Sequence, residues 1–312
     1  MLQLFAPLLA GVLLVLYPAS VSASNKTPSR ASANDALVRA QVLLDRAWFS
    51  PGEIDGRSGT NMRRALKAFQ ASHGLKATGS LDASTWTALG SRDAEFLRDY
   101  TITENDAAGP FVKIPADPME RAQLPRLGYE NLMEALGERF HVSPALLRNL
   151  NRGVGFEAGS TVRVPDVDAN VTAPRKAAAV RILKKERMLV ALDGTGHTIA
   201  SFPISLGSPR DELPVGRLKI TTIATDPTFD YDPELLHDAD PNHAKVTMAR
   251  GPNNPVGIAW MGLSRKHDGI HGTPNPATVG RSETKGCVHL TNWDVMKLIS
   301  IASVGIPVEV RE

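Results

Sequence analysis

Apolar residues follow a helical period in the first third of the chain. Two runs have the spacing of one helix face: Leu37, Ala40, Leu44 and Ala47, then Met62, Ala65, Leu66 and Phe69. A glycine-rich turn, residues 51–59, separates the two runs, and a short third helix carries Trp86 and Leu89. The pattern predicts a small all-α domain over residues 35–90.

The middle of the chain has a mixed pattern. Residues 91–128 are highly charged and rich in proline, which predicts a connector with little regular structure. Residues 129–168 begin with a helical period, continue with a Ser-Pro pair at 143–144 that is typical of a helix start, and end with strand-like alternation at 161–165. These features predict a small α+β segment.

From residue 177 onward the pattern becomes that of strands. Four segments are rich in β-branched and alternating apolar residues: 180–183, 188–192, 198–204 and 218–223. Asp193-Gly194 is typical of a hairpin turn. A helix-like stretch at 292–301 and a last strand at 308–310 complete a mostly β domain over residues 177–312.

The first residues have the pattern of an export signal. Over residues 1–23, an apolar run precedes Pro18 and the small residues Val21-Ser22-Ala23, which is typical of a secretory signal peptide and its cleavage site. The start of this segment has no Lys or Arg, so an uncleaved membrane anchor is the alternative, although about 20 apolar residues are needed to span a bilayer. Residues 24–34 predict a linker.

Composition narrows the functional classes. The chain of 312 residues is 42% hydrophobic and 22% charged, which suits a globular protein of two or three domains. Its 35 basic and 33 acidic residues give a formal net charge of +2 and no basic block, so we expect no nucleic-acid partner. A single cysteine in an exported protein cannot form an internal disulfide, so Cys287 is either a small buried side chain or a reactive thiol.

The residues around Cys287 favour a reactive thiol. His271 lies sixteen positions earlier, and a neighbouring imidazole can take the thiol proton and lower the thiol pKa from about 8.5 to below 7.5. Gly286, directly before the cysteine, allows the backbone to approach a substrate and turn N–H groups toward a developing oxyanion. A nucleophile, a base and an anion donor together indicate acyl transfer.

Two parts of the chain before residue 177 resemble cell-wall-binding modules. Residues 35–90 resemble the three-helix peptidoglycan-binding domain, through Ile54-Asp55-Gly56, Arg64-Ala65-Leu66, Phe69-Gln70, His73-Gly74-Leu75, Thr78-Gly79 and Leu81-Asp82. Residues 129–168 loosely resemble a LysM module whose first strand would be Tyr100-Thr101-Ile102, followed by an insertion of roughly 25 residues. The resemblances imply binding of peptidoglycan and of its glycan part.

The C-terminal domain resembles the L,D-transpeptidase (YkuD-type) family, whose signature is a His-Gly pair followed by Ser/Thr-x-Gly-Cys. Further ordered matches are Gly207, Pro214-Val215-Gly216, Gly251-Pro252-Asn253-Asn254-Pro255, Met261-Gly262-Leu263-Ser264 and Leu290-Thr291-Asn292-Trp293-Asp294. The resemblance implies that Cys287 is the nucleophile, His271 the general base and acid, Gly272 the carbonyl that orients His271, and Gly286 an oxyanion donor. We expect no metal and no cofactor.

The sequence departs from the family pattern beside the cysteine. Many members have His where this chain has Lys285, and most have Arg where it has His289. Lys285 is either a cation that acts on the thiol or a solvated lysine, and an imidazole at 289 cannot form the bidentate carboxylate bond of Arg. Together with Thr284, these two residues are expected to contact substrate.

Other histidines offer weaker alternatives. The cluster of His237, Asp238, Asp240 and His243 has the residue types of a zinc site, but a solvated loop that covers substrate is favoured. His267 lies four residues before His271, and the Asp268-Gly269 pair that follows it favours an exposed histidine in a turn.

The sequence leaves the acyl acceptor open. The predicted multidomain protein acts on peptidoglycan stem peptides and glycan at the cell wall or in the periplasm. An amine acceptor would produce 3→3 crosslinks or attach an outer-membrane lipoprotein, whereas water would make the protein an L,D-carboxypeptidase or hydrolase. A wall-anchoring protein without activity is the alternative from another class, and the intact His271, Gly272 and Cys287 argue against it.

Overall fold

The computed structural model describes residues 30–90, 92–169, 171–208, 210–235, 239–284 and 286–312. The expected signal peptide and most of the expected linker lie outside the described residues, and so do Lys285, His237 and Asp238. Within those ranges, no helix has the length and apolar character needed to cross a membrane.

The N-terminal region contains three helices. They are α1 (Arg30–Arg46), α2 (Thr60–Ser72) and α3 (Ala83–Ala88). Helix α1 begins inside the stretch expected to be a linker, so regular structure starts before residue 35. Asp82 caps α3 by accepting a hydrogen bond from the Thr85 backbone N–H. The two apolar runs found in the sequence meet in one core with Phe49 and Trp86.

Helix α1 is buried on a second face that the helical pattern did not identify. Val38 and Val42 pack into the core of the middle segment, beside Leu136 and Phe140. Residues 35–90 therefore share part of their core with the middle segment.

The middle segment is more regular than predicted. Its elements are β1 (Leu97–Thr101), α4 (Glu104–Ala108), α5 (Pro118–Arg121), α6 (Leu132–Arg139), α7 (Pro144–Leu150) and β2 (Thr161–Pro165). Strands β1 and β2 pair in antiparallel register, with Tyr100 opposite Val162. The expected connector thus contains two short helices and one strand of this pair, which overlaps Tyr100-Thr101-Ile102, the first strand that the LysM resemblance implied.

The C-terminal domain is built on strands. They are β3 (Ala179–Leu183), β4 (Met188–Leu192), β5 (Thr198–Pro203), β6 (Leu206–Gly207), β7 (Gly216–Thr225), β8 (Phe229–Tyr231), β9 (Val246–Met248), β10 (Ala259–Leu263), β11 (Gly269–His271), β12 (Glu283–Thr284), β13 (Val288–His289) and β14 (Pro307–Arg311). Eight of them form one sheet in the order β13-β11-β10-β7-β14-β3-β4-β5. Helix α8 (Asn292–Ile301) packs against β10 and β11.

The N-terminal region packs directly on this domain. Trp48 is part of the C-terminal core, and its carbonyl accepts a hydrogen bond from the Ser201 N–H at 2.8 Å. The Ser201 carbonyl in turn accepts from the Ser50 N–H at 2.8 Å, so a short piece of the N-terminal region runs beside β5. The sheet of the C-terminal domain and the N-terminal helices are consequently joined by buried backbone pairing.

Candidate active site

The pairing of β11 with β13 brings the candidate residues to one face of the sheet. The two strands run parallel, with Ile270 opposite Val288 and His271 opposite His289. Ile270 and Val288 are fully buried in the core. Since side chains alternate between faces along a strand, His271, His289 and Cys287 lie on the opposite face.

The His271 imidazole is held in one orientation. It is 2% exposed, and its Nδ1 lies 2.7 Å from the carbonyl oxygen of Gly272. Because a carbonyl only accepts hydrogen bonds, Nδ1 carries the proton and Nε2 is left with the free lone pair. This tautomer allows Nε2 to take a proton.

Two further rings enclose the His271 imidazole. The Trp260 ring stacks on it with centroids 5.3 Å apart and planes 18° apart, and the His289 ring lies 4.3 Å away on a tilted plane. Glycine at 269 makes room for Trp260, since a Cβ there would lie 2.4 Å from the indole. Sequence reasoning did not identify Trp260. Its proximity to His271 follows from the pairing of β10 with β11, which places the two residues directly opposite each other.

The Cys287 thiol is half-buried at the edge of this cluster. Its Sγ donates to the carbonyl oxygen of His267 at 3.6 Å. Among the hydrogen bonds of the described residues, none joins Sγ to the His271 imidazole. The thiol and the imidazole therefore share a sheet face while each bonds to a different backbone carbonyl.

The loop before Cys287 is tightly packed. The Thr284 hydroxyl donates to the Cys287 carbonyl at 2.7 Å, so this side chain ties the loop to the cysteine. Gly286 adopts a φ of +113°, where residues with a Cβ are strained. Gly207 packs on it, and a Cβ at Gly207 would lie 2.9 Å from the Gly286 Cα.

Burial keeps both reactive groups neutral. It raises the pKa of the Cys287 thiol to about 11, and the Asp268 carboxylate adds to the effect while a hydrogen bond from the Gly269 backbone opposes it. Burial also lowers the pKa of His271 to about 4, against the effect of the Gly272 carbonyl. The pKa of His289 lies well below its usual value because of burial and the neighbouring His271.

These directions correct one expectation from the sequence. A thiol pKa below 7.5 required a charged imidazole beside the thiolate, but the free protein holds a thiol and a neutral imidazole near pH 7. Desolvation disfavours either charged form in a buried site, and the Asp268 charge that acts on the thiol has the wrong sign to stabilise a thiolate.

The two other histidines considered in the sequence, His267 and His243, have different surroundings. His267 is exposed in the turn before β11. His243 bonds to the Tyr231 hydroxyl at 3.0 Å and lies 3.4 Å from an Asp117 carboxylate oxygen. In the part of the chain that the structure describes, no group of three or more His, Cys, Asp or Glu side chains is arranged to hold a metal ion.

Two regions of this chain match models of known protein families. Residues 177–310 match the family model of the YkuD L,D-transpeptidase catalytic domain. The C-terminal domain is an L,D-transpeptidase catalytic domain. Residues 33–89 match the model described as "Putative peptidoglycan binding domain".

Curated relatives carry the same family name. "Putative L,D-transpeptidase YkuD" of Bacillus subtilis (strain 168) is 28% identical over 57% of this chain and 93% of its own length. "Probable L,D-transpeptidase ErfK/SrfK" of Escherichia coli (strain K12) is 26% identical over 49% of this chain and 50% of its own. The crystal structure of L,D-transpeptidase 3 from Mycobacterium tuberculosis covers 52% of this chain and 79% of its own, with 14% identity and a TM-score of 0.36.

Proposed function

We propose that this protein is a cysteine-dependent L,D-transpeptidase that acylates Cys287 with a peptidoglycan stem peptide and transfers the acyl group to an amine. The observation that carries the proposal is the parallel pairing of β11 with β13, which presents Cys287 and the oriented His271 on one sheet face of an L,D-transpeptidase domain. The acceptor amine belongs to a second stem, giving a 3→3 crosslink, or to a lipoprotein.

The protonation states define the order of proton transfers. As Sγ attacks the stem carbonyl, Nε2 of His271 takes the thiol proton, and the resulting imidazolium returns it to the departing amine of the terminal residue. The thioester is then attacked by the acceptor amine, whose proton passes to Nε2 and finally to the leaving thiolate. The Gly286 backbone N–H is the proposed oxyanion donor.

The side chains beside the nucleophile have distinct proposed roles. Thr284 fixes the loop through the Cys287 carbonyl, and His289 packs on His271 and limits movement of its ring. Lys285, outside the described residues, is proposed to contact the substrate.

The accessory regions are proposed to hold the enzyme on its polymeric substrate. Residues 33–89 match a peptidoglycan-binding model, which supports binding of the wall there. In the middle segment, α6 and α7 lie between the paired strands β1 and β2 in sequence, as in the LysM module that the sequence resembles, which supports a glycan-binding role. The enzyme then acts in the periplasm or at the wall, after export directed by residues 1–23.

Incubation with purified muropeptides tests the activity. Mass analysis should show crosslinked dimers with loss of the terminal residue from the donor stem. Shortened stems without dimers would instead support the carboxypeptidase alternative, and absence of any product would contradict both. Cys287→Ala is the matched control and should give no product.

A carbapenem provides a second test that does not depend on the acceptor. Because the chain has a single cysteine, intact mass should increase by one equivalent of drug in the wild type and not in Cys287→Ala. An unmodified wild type, or a modified variant, would contradict the role of Cys287.

A further inference from the structure

Asn292, the first residue of α8, is a buried junction between three segments. It is 1% exposed. Its Oδ1 accepts from the Ile258 N–H at 3.2 Å, and its Nδ2 donates to the Pro252 carbonyl and to the Glu138 carboxylate, each at 3.2 Å. Both Nδ2 protons thus have acceptors, which fixes the amide plane.

The same amide lies directly against the peptide that orients the catalytic histidine. A Cβ on Gly272 would lie 2.2 Å from the Asn292 Oδ1. A Cβ on Gly257 would lie 2.1 Å from the same oxygen and 2.7 Å from the Gly272 carbonyl carbon. Since the Gly272 carbonyl holds Nδ1 of His271 at 2.7 Å, any shift of Asn292 reaches the imidazole through one peptide.

We infer that Asn292 is a positioning residue for His271 and that Glu138, on accessory helix α6, holds Asn292 in place. The inference rests on the proposed function. It assigns the middle segment a part in catalysis in addition to any binding of the wall, because Glu138 reaches across the domain boundary to the amide that supports the active site.

Glu138 suits this task because it acts only as an acceptor toward Asn292. Burial and the nearby carboxylates of Glu134 and Glu53 raise its pKa to about 8. Whether ionised or protonated, its carbonyl-type oxygen can accept from Nδ2. A glutamine at 138 preserves that oxygen, whereas an alanine leaves one Asn292 proton without an acceptor.

Four variants of the full-length chain test the inference. Asn292→Ala removes all three hydrogen bonds, and Asn292→Asp keeps the acceptor for Ile258 but removes both donors. Glu138→Ala removes the side chain beyond Cβ, whereas Glu138→Gln keeps its length and an oxygen that can accept from Asn292. Glu157→Ala, at an exposed glutamate of the same segment, is the control.

The rate of acylation by a carbapenem is the first readout. Displacement of a catalytic group's support should slow acylation about 10–100-fold in Asn292→Ala, Asn292→Asp and Glu138→Ala. Glu138→Gln should stay within about threefold of the wild type, as should Glu157→Ala, because both leave the Asn292 hydrogen bonds in place. Melting temperature is followed in parallel.

The ¹⁵N chemical shifts of the His271 ring, assigned by comparison with His271→Ala, give a second readout that is independent of catalysis. The wild type should show a protonated Nδ1, and the Asn292 variants a mixture of tautomers. Wild-type rates and an unchanged tautomer in folded Asn292→Ala would overturn the inference. Should that variant not fold, equal acylation by Glu138→Ala and Glu138→Gln would overturn it. A wild type that is not acylated refutes the proposed function, and the ring shifts then decide the inference alone.

Discussion

Two buried polar clusters of this molecule differ in the charge of their groups: one favours charged side chains and the other favours neutral ones. At the boundary between α1 and the C-terminal domain, the fully buried Asp45 receives the Lys297 ammonium at 2.6 Å and lies 3.2 Å from Nδ1 of His141. Burial alone would raise the Asp45 pKa, but the Lys297 and His141 contacts bring it well below its usual value. In the candidate active site, the half-buried Cys287 and the buried His271 have no such oppositely charged partner among the described residues, and their pKa values shift in the direction that favours the neutral forms.

This difference indicates that the polar groups of the first cluster stabilise the fold, whereas those of the second are suited to the proposed catalysis. A buried ion pair contributes only while both partners are present, since removal of one leaves an uncompensated charge. A neutral thiol and a neutral imidazole cost little to bury, and in the proposed mechanism charge develops only when Sγ attacks a substrate carbonyl. Substitutions should therefore affect stability at the first cluster and rate at the second.

The largest expected effect is on the rate. His271→Ala removes the group that is proposed both to accept the thiol proton and to protonate the leaving amine, so acylation should fall by about 10²–10⁴-fold. The fold should be retained, because His271 carries no buried charge that another group must balance. Single-turnover acylation and a thermal melt measure the two properties, and near-normal acylation at pH 7 would show that another group activates Cys287.

Breaking the ion pair between Lys297 and Asp45 should lower stability and leave the acylation rate little changed. Lys297→Met leaves the Asp45 carboxylate buried without its ammonium, which should cost about 3–5 kcal/mol of unfolding free energy. Lys245→Met is the control, because its pairs with Asp232 and Glu234 are largely exposed and should contribute little to stability. Denaturant unfolding compares the two, and equal small losses would show that the boundary cluster does not stabilise the protein.

The sign of the pH dependence at this cluster follows from the lowered Asp45 pKa. The stability that it contributes is present above the unfolded-state pKa of about 4 and is lost as the pH falls further. The stability difference between the wild type and Lys297→Met should consequently shrink in acid.

Thiol reactivity tests the active-site half of the comparison. With a Cys287 pKa of about 11, only a small fraction is thiolate near neutrality, so alkylation by iodoacetamide should rise about tenfold per pH unit from pH 7 to pH 9 without a plateau. The chain has one cysteine, so the signal is unambiguous. A plateau below pH 8 would instead indicate a thiolate–imidazolium pair in the free enzyme.

Local sequence patterns predicted the helices and strands well, but they did not predict the contacts between these elements. The strands expected at 188–192 and 198–204 and the helix at 292–301 match β4, β5 and α8, because alternation and helical period are local properties. Helix α1 was predicted from one apolar face, and its other face, with Val38 and Val42, packs on a partner from another part of the chain. The helical period of apolar residues does not by itself reveal that a second face of a helix packs on another segment.

The candidate site shows the same limit. Spacing and family resemblance drew attention to His271 and Cys287, whose roles remain predictions until the variants are measured. Trp260 and Glu138 carry no motif, and they reach the site through strand pairing and through domain packing. The direction in which the thiol pKa shifts could not be predicted from the sequence either, because it depends on how deeply the folded chain buries Sγ.

The smallest expected effect comes from the loop that carries Cys287. Thr284→Val keeps the shape of the side chain but removes the hydroxyl that donates to the Cys287 carbonyl at 2.7 Å, which should cost about 1 kcal/mol of stability. Acylation should slow only a few-fold, since Gly286 and the packing of Gly207 still hold the loop. Thr284→Ser retains the hydroxyl and should restore most of both losses. If Thr284→Ser behaved like Thr284→Val, the methyl group rather than the hydrogen bond would be what positions Cys287.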